Sequence, residues 1–247
     1  MGISATAGTA VTPSATISVE GLTKRYGGHT VVENMSFGIR GGAVTGFFGP
    51  NGAGKTTALK VISGLARPSA GQVLLNGRAT RTPDARTLGV FIEPCGAHPG
   101  RSAPAHLRSL AALAGLPRAR VTEMIELVGL GQAGRRRVGK YSLGMRQRLG
   151  LAAALLADPD ILVLDEPMNG LDPRGIQWLR TLLRERADAG RTVLLSSHSL
   201  TEVERTVDDV LVIDRGRLVH QGRMASIAES GFSLEDVFLR LTEGEDA

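Results

Sequence analysis

The sequence predicts an α/β protein whose parallel-sheet core is interrupted by an inserted run of helices. Three observations carry that expectation. Short, wholly apolar runs recur along the 247 residues as "AVTGFFG", "DILVLDEP" and "RTVLLSSH". Stretches of helical period separate them, and the longest such stretch occupies about residues 96–156. Hydrophobic residues make up 42% of the chain and charged ones 21%, which excludes a disordered polypeptide and allows one large core.

Taken in order, residues 1–15 read as a small-residue disordered tail. "MGISAT" fits a myristoylation pattern, but "ATAGTAVTPSA" makes the tail the simpler reading, and no basic region precedes an apolar one as in a signal peptide. The folded domain is expected over residues 16–242, with a last short tail at 243–247. "TISVEGL" and "AVTGFFG" read as strands, and "GQVLLNG" as a hairpin element. "APAHLRSLAALAGL" and "RVTEMIELVGL" place leucine and alanine at three- and four-residue spacing, which predicts helices. "DILVLDEP" predicts a strand covered on both faces, followed by a helix from about Pro173 to Ala189 and the strand "RTVLLSSH". Alternation of strand and helix is expected to continue through "DDVLVIDRG" and "RLVHQG". The longest apolar stretch, Leu149 to Ala157, is too short to span a bilayer. The lone cysteine, Cys95, excludes an internal disulfide and fits a reducing compartment. A net charge of +5 permits nucleotides, nucleic acid or an acidic membrane face as partners and selects none of them.

The chemistry begins at "GPNGAGKTT", residues 49–57. Its glycines let backbone N–H groups curl around phosphate oxygens, Lys55 places a charge between the β- and γ-phosphates, and Thr56 offers a hydroxyl to Mg²⁺. An apolar strand before it and a helix after it are the setting such a loop needs, so the chain is read as binding a nucleoside triphosphate. Asp165 stands where a buried strand ends, the position at which open α/β sheets bind ligands, and can hold Mg²⁺ through water. Glu166, one residue on, can orient the attacking water or accept its proton. An acidic pair at a strand end is otherwise only a solvated terminus. "YSLGMRQRL" opens a further helix with Ser142 as N-cap and Gly144 allowing close backbone approach. Such a helix start binds anions, yet the phosphate loop already has its own helix; a second anion site needs a second phosphate or a second chain.

In sequence order, Tyr26 in "LTKRYGG", "GPNGAGKTT", the Glu93 stretch "FIEPCG", "YSLGMRQRL", "ILVLDEP", "NGLDP" and "LLSSHSL" resemble the nucleotide-binding subunit of an ABC transporter over roughly residues 16–242. "SLGMRQR" and the C-terminal "SLEDVFLRLTEG" are most similar to the drug, antibiotic and lantibiotic self-protection exporters. The resemblance implies an ABC-type ATPase core with an antiparallel β subdomain and an inserted helical subdomain. It implies ATP and Mg²⁺ as cofactors, a homodimer formed on ATP binding, and integral membrane permease subunits as partners. No direct nucleic-acid binding is expected, and the chain is placed in the cytoplasm, peripheral to the inner face of the membrane.

Carried over by position, Gly49, Pro50, Asn51, Gly52, Ala53, Gly54, Lys55, Thr56 and Thr57 hold the nucleotide. Tyr26 stacks on adenine, and Ser142, Gly144 and Met145 close over the ATP of the other copy. Leu143 and Met145 depart from the commonest form of that motif. Asp172 resembles the acid at the dimer seam, and it equally suits an N-cap before Pro173. His198 resembles the histidine that hydrogen-bonds the γ-phosphate; with Glu166 it is the catalytic expectation. Glu93 replaces the glutamine of most of the family, as in lantibiotic-protection exporters, and is expected near Mg²⁺ beside Thr56 and Asp165. Two readings of it stay open: it couples nucleotide state to the permease, or it faces solvent until the permease docks. "GRRRVGK", residues 134–140, reads as an arginine-dense solvated loop whose field helps draw in the partner copy's nucleotide. The alternative function is a soluble ABC-type ATPase acting on the ribosome or DNA.

Overall fold

The computed structural model describes residues 15–79, 82–94, 96–133, 136–229, 231 and 233–242. The readings of residues 1–14 and 243–247 as tails, and of Cys95, lie outside the described residues. In chain order the elements are β1 (Ala15–Tyr26), β2 (His29–Arg40), β3 (Val44–Phe48), α1 (Lys55–Ile62), β4 (Ala70–Leu75), β5 (Arg78–Ala79) and β6 (Leu88–Phe91). There follow α2 (Ala103–Leu113), α3 (Ala119–Leu127), a 3₁₀ turn (Val138–Lys140), α4 (Leu143–Leu155), β7 (Ile161–Leu164) and α5 (Pro173–Asp188). The last elements are β8 (Thr192–Ser196), α6 (Leu200–Val203), β9 (Asp209–Asp214), β10 (Arg217–Arg223), α7 (Met224–Glu229) and α8 (Leu234–Thr242). The chain forms two compact units, Met1–Thr82 with Leu183–Ala247, and Pro83–Leu182.

The first unit holds an antiparallel sheet ordered β2-β1-β4-β5. It also holds a parallel set in which β3 pairs with β8 on one side and β9 on the other. β2 has no counterpart among the sequence expectations. Its first half is irregular, with Asn34 at φ 44°, and only Met35, Phe37 and Ile39 alternate cleanly into the core. β3 is buried throughout, and Phe47 meets Phe37 with ring centroids 6.0 Å apart. Each such side chain contributes about 1.5–3 kcal/mol by leaving water.

One expectation is corrected here. "DDVLVIDRG" and "RLVHQG" do not continue the strand–helix alternation; they form the antiparallel hairpin β9–β10. Arg215 (φ 44°) and Gly216 (φ 81°) make a two-residue turn with both residues left-handed, the geometry that matches strand twist. Only those two residues separate the strands, so no helix fits between them.

In the second unit β6 and β7 run parallel, in register from Leu88–Ile161 to Phe91–Leu164. β7 is buried along its whole length, as its apolar run requires. Helices α2, α3 and α4 pack together over Leu107, Val121, Met124, Ile125, Leu149 and Leu151. Ser102 and Pro104 start α2, while Gly115 (φ 64°) and Gly129 (φ 69°) turn the chain out of α2 and α3 in left-handed stops. α4 lies close on β6: a Cβ at Gly89 would run into the Ala154 carbonyl and stand 2.7 Å from Pro159 Cγ.

His106 of α2 is buried, and desolvation first, then the charge of Arg101, lowers its pKa below the usual 6.5. The folded protein therefore holds it neutral, while the unfolded chain takes up a proton below that value. Its contribution is fully present above about pH 6.5 and is lost as pH falls through the lowered pKa. The thermal midpoint is expected to fall between about pH 7.5 and about pH 5, and to fall less in His106→Leu. Equal falls in the two proteins would remove His106 from the acid response.

Candidate functional site

In the first unit, the loop Gly49–Gly54 joins the end of β3 to the start of α1. It curls tightly, with the Ala53 N–H donating to the Pro50 carbonyl at 3.1 Å. Gly54 sits at φ 101°, and a Cβ there would lie 2.7 Å from the Val31 carbonyl of β2. The β9–β10 turn braces the loop from another direction: the Gly216 N–H donates to the Ala53 carbonyl at 3.0 Å. Gly216 is itself left-handed, and a Cβ on it would stand 2.5 Å from the Val31 carbonyl. Backbone thus rests on backbone on two sides, which side chains would forbid.

Lys55 is only 8% exposed, and its Nζ donates to the Gly49 carbonyl at 2.7 Å and the Pro50 carbonyl at 3.2 Å. A buried ammonium held on loop carbonyls is already aimed into the curl where phosphate oxygens would lie. Asn51 and Gly52 are exposed, Ala53 and Gly54 are buried, and Thr56 and Thr57 are half-buried at the start of α1. Tyr26 ends β1 46% exposed, with Lys24 Nζ 4.6 Å from its ring centroid. His198 follows β8 and is exposed; the turn around it is fixed by the Ser199 N–H donating to Ser197 Oγ at 3.0 Å.

In the second unit, Asp165 is 5% exposed immediately after β7, and its N–H donates to the Phe91 carbonyl at 2.7 Å. The β6–β7 ladder therefore brings Glu93 and Asp165 to the same end of neighbouring strands, with Glu93 exposed. Glu166 adopts φ 49°, a left-handed backbone that costs a glutamate about 1–3 kcal/mol and persists only where surrounding structure enforces it. The bonds of the turn that follows run from the Asn169 N–H to the Glu166 carbonyl, 3.2 Å, and from the Leu171 N–H to the Met168 carbonyl, 3.1 Å.

The start of α4 lies against that turn. Ser142 is exposed and extended, and its Oγ accepts the Met145 N–H at 3.3 Å, capping the helix. A Cβ at Gly144 would stand 2.6 Å from the Gly170 carbonyl, so the two segments meet backbone to backbone. Asp172 caps α5, its Oδ1 accepting the Gly175 N–H at 2.8 Å. Arg148 ties these parts together, and sequence reasoning missed it. Its Nη1 donates to the Val128 carbonyl at 3.1 Å, its Nη2 lies 3.8 Å from Asp172 Oδ1, and its guanidinium sits 5.3 Å from the Trp178 ring centroid. No local pattern marks Arg148 among the arginines around it. Gln147, beside it, is buried, and its Nε2 has no hydrogen-bond partner among the described residues.

A groove of about 770 Å³ also belongs to the second unit, lined by Asp84, Arg86, Val90, His106, Leu110 and Leu113. No cluster of three His, Cys, Asp or Glu side chains occurs among the described residues. Asp165 offers one buried carboxylate in the second unit and Thr56 one half-buried hydroxyl in the first, each a single oxygen-donor group of the kind Mg²⁺ accepts.

Residues 32–169 match the family model described as ABC transporter. A lantibiotic transport ATP-binding protein of Streptococcus pyogenes is 37% identical over 203 residues, covering 82% of this chain and 89% of that protein. A bacitracin transport ATP-binding protein of Bacillus licheniformis is 38% identical over 213 residues, covering 84% and 70%. Among solved structures, an ATP binding subunit of an ABC transporter superposes with a TM-score of 0.80 at 28% identity, covering 91% of this chain and 98% of that one.

The brace at Gly216 carries a consequence for binding. Gly216→Ala is expected to destabilise the fold by about 1–3 kcal/mol and to weaken triphosphate binding through its backbone bond to Ala53. Thermal unfolding and titration with a fluorescent ATP analogue measure both. Parent-like affinity in a destabilised variant would show that the hairpin turn does not support the loop.

Proposed function

The chain belongs to the ABC transporter family, and from that premise we propose that it is the ATP-hydrolysing subunit of an exporter for an antibiotic, a lantibiotic or another drug-like compound. Two copies close head to tail on ATP, and separate integral membrane permease subunits receive the stroke. The observation that carries this is the exposed, Ser142-capped start of α4. The phosphate loop already leads into α1, so a second open helix start is supplied with phosphate by a second copy. The names of the relatives support transport over action on the ribosome or DNA. Among the described residues no helix is long and apolar enough to cross a membrane, and the permease is assigned the path through the bilayer. The chain then sits in the cytoplasm on the inner membrane face, with the permease docked in the groove of the second unit.

In this mechanism the N–H groups of residues 49–57 cradle the triphosphate, and Lys55 exchanges its loop carbonyls for phosphate oxygens. Tyr26 stacks on the base. Thr56 and Asp165 would hold Mg²⁺, which would offset the charge of the phosphates. Glu166 accepts a proton from the attacking water, and His198 donates a hydrogen bond to the γ-phosphate. Ser142, Gly144 and Met145 of the second copy close over the site, with Asp172 at the seam. Glu93 passes nucleotide state to the permease and has a minor part in chemistry.

Glu166→Gln is expected to leave ATP binding intact while lowering hydrolysis by roughly 10²–10⁴. It should also sediment as an ATP-bound dimer, because closure needs only binding and opening needs cleavage. Turnover at the parent rate, or a monomer at saturating ATP, would contradict these roles. Glu93→Gln is expected to keep basal ATPase within several-fold of the parent while changing resistance or transport in cells by more. A loss as deep as that of Glu166→Gln would make Glu93 a catalytic residue.

A further inference from the structure

The charge of the chain is concentrated in one place. Between Glu93 and Asp158 stand ten arginines and lysines against two acids, Glu123 and Glu126. That segment nets +8 in a chain of total +5, so the remainder is −3. Nucleotide chemistry accounts for little of it: Arg148 is spent on Asp172 and Arg120 on Glu123. Arg101, Arg108, Arg118, Arg136, Arg137 and Lys140 are all exposed, and none of them makes an ion pair among the described residues.

The fold of the second unit gathers several of these. Ser102 and Arg137 form a β-bridge, and the Val138 N–H donates to the Arg101 carbonyl at 2.8 Å. The loop before α2 therefore lies beside the loop before α4, with Arg101, Arg136, Arg137 and Lys140 close together. Arg108, on α2 itself, is a further exposed cation of the same unit.

We propose that this surface rests on the anionic headgroups of a phospholipid bilayer. Its donors are exposed side chains of two adjoining loops, whereas a discrete anion is gripped by converging, desolvated ones. Exposed arginine and lysine without ion-pair partners among the described residues suit anionic headgroups. Single-stranded nucleic acid is recognised by stacking on aromatic rings, and the only Phe, Tyr or Trp from residue 94 to 157 is the buried Tyr141. The proposal rests on the reading that places the chain beside a membrane, yet its test needs neither permease nor hydrolysis.

The purified full chain, without nucleotide, is sedimented with vesicles of phosphatidylcholine alone or with added phosphatidylglycerol. Binding is expected on the anionic vesicles only and should weaken as salt rises. Changing Arg101, Arg136 and Arg137 together to Gln is expected to lower the partition coefficient about fivefold per charge removed, matching about 1 kcal/mol each. The same variant should keep the parent's thermal midpoint. A control with Arg25, Arg67 and Arg223 changed to Gln should bind as the parent does; all three are exposed in the other unit. An equal loss in that control, or equal binding to neutral vesicles, overturns the proposal. Displacement by inorganic phosphate beyond that by chloride at equal ionic strength would assign a discrete anion site instead. Tighter binding to a DNA duplex than to anionic vesicles would assign a nucleic-acid surface. If Glu166→Gln fails to dimerise while the vesicle results hold, the exporter mechanism falls and the membrane surface stands.

Discussion

The phosphate loop keeps its shape because main chain presses on main chain. Gly54 lies against the Val31 carbonyl, and Gly216 bonds to Ala53 while touching the same carbonyl. Two separate β elements thus fix a loop that has few side chains of its own to hold it. With the walls set, Lys55 can be withdrawn from water onto two carbonyls instead of sampling solvent. An ammonium so placed gives up hydration before any ligand arrives, and an anion entering the curl meets a charge with little left to reorganise.

A similar economy governs the second unit. The turn after Glu166 runs directly into the start of α5, and the capped start of α4 comes from the far side of β7 in the sequence. The Gly144–Gly170 approach and the three contacts of Arg148 make them neighbours. None of those contacts is strong alone; a half-exposed cation over an aromatic ring contributes about 0.5–1 kcal/mol. Their value is positional, because Arg148 presents a flat, forked group that lysine could not replace. Asp172 shows why a cap and a seam residue need not be alternatives. Its carboxylate bonds the Gly175 N–H and remains 67% exposed, so one residue can stiffen a helix start and still face outward.

The parts legible from sequence were those whose chemistry is local. A serine before a helical run predicts a cap, and Ser142 bonds the Met145 N–H. "DILVLDEP" predicts a buried strand ending on an acid, and β7 delivers Asp165. Long-range features left no such mark. β2 is broken by Asn34, so its period shows only from Met35 onward. The β9–β10 turn was read through because Arg-Gly is an unremarkable pair until both residues are seen to be left-handed. Arg148 and Gly216 act on residues far along the chain, and nothing in their immediate neighbours distinguishes them. The role of Glu93 is likewise not set by its own stretch, since what an exposed carboxylate meets depends on its partners.

Arg148 lies on Trp178, and that indole is the single tryptophan of the chain. Tyrosine contributes only two further rings. The intrinsic emission excited at the red edge therefore originates at one point, beside the guanidinium that joins α4 to Asp172. The protein carries its own optical gauge at that joint, and its brightness follows the joint with no dye attached.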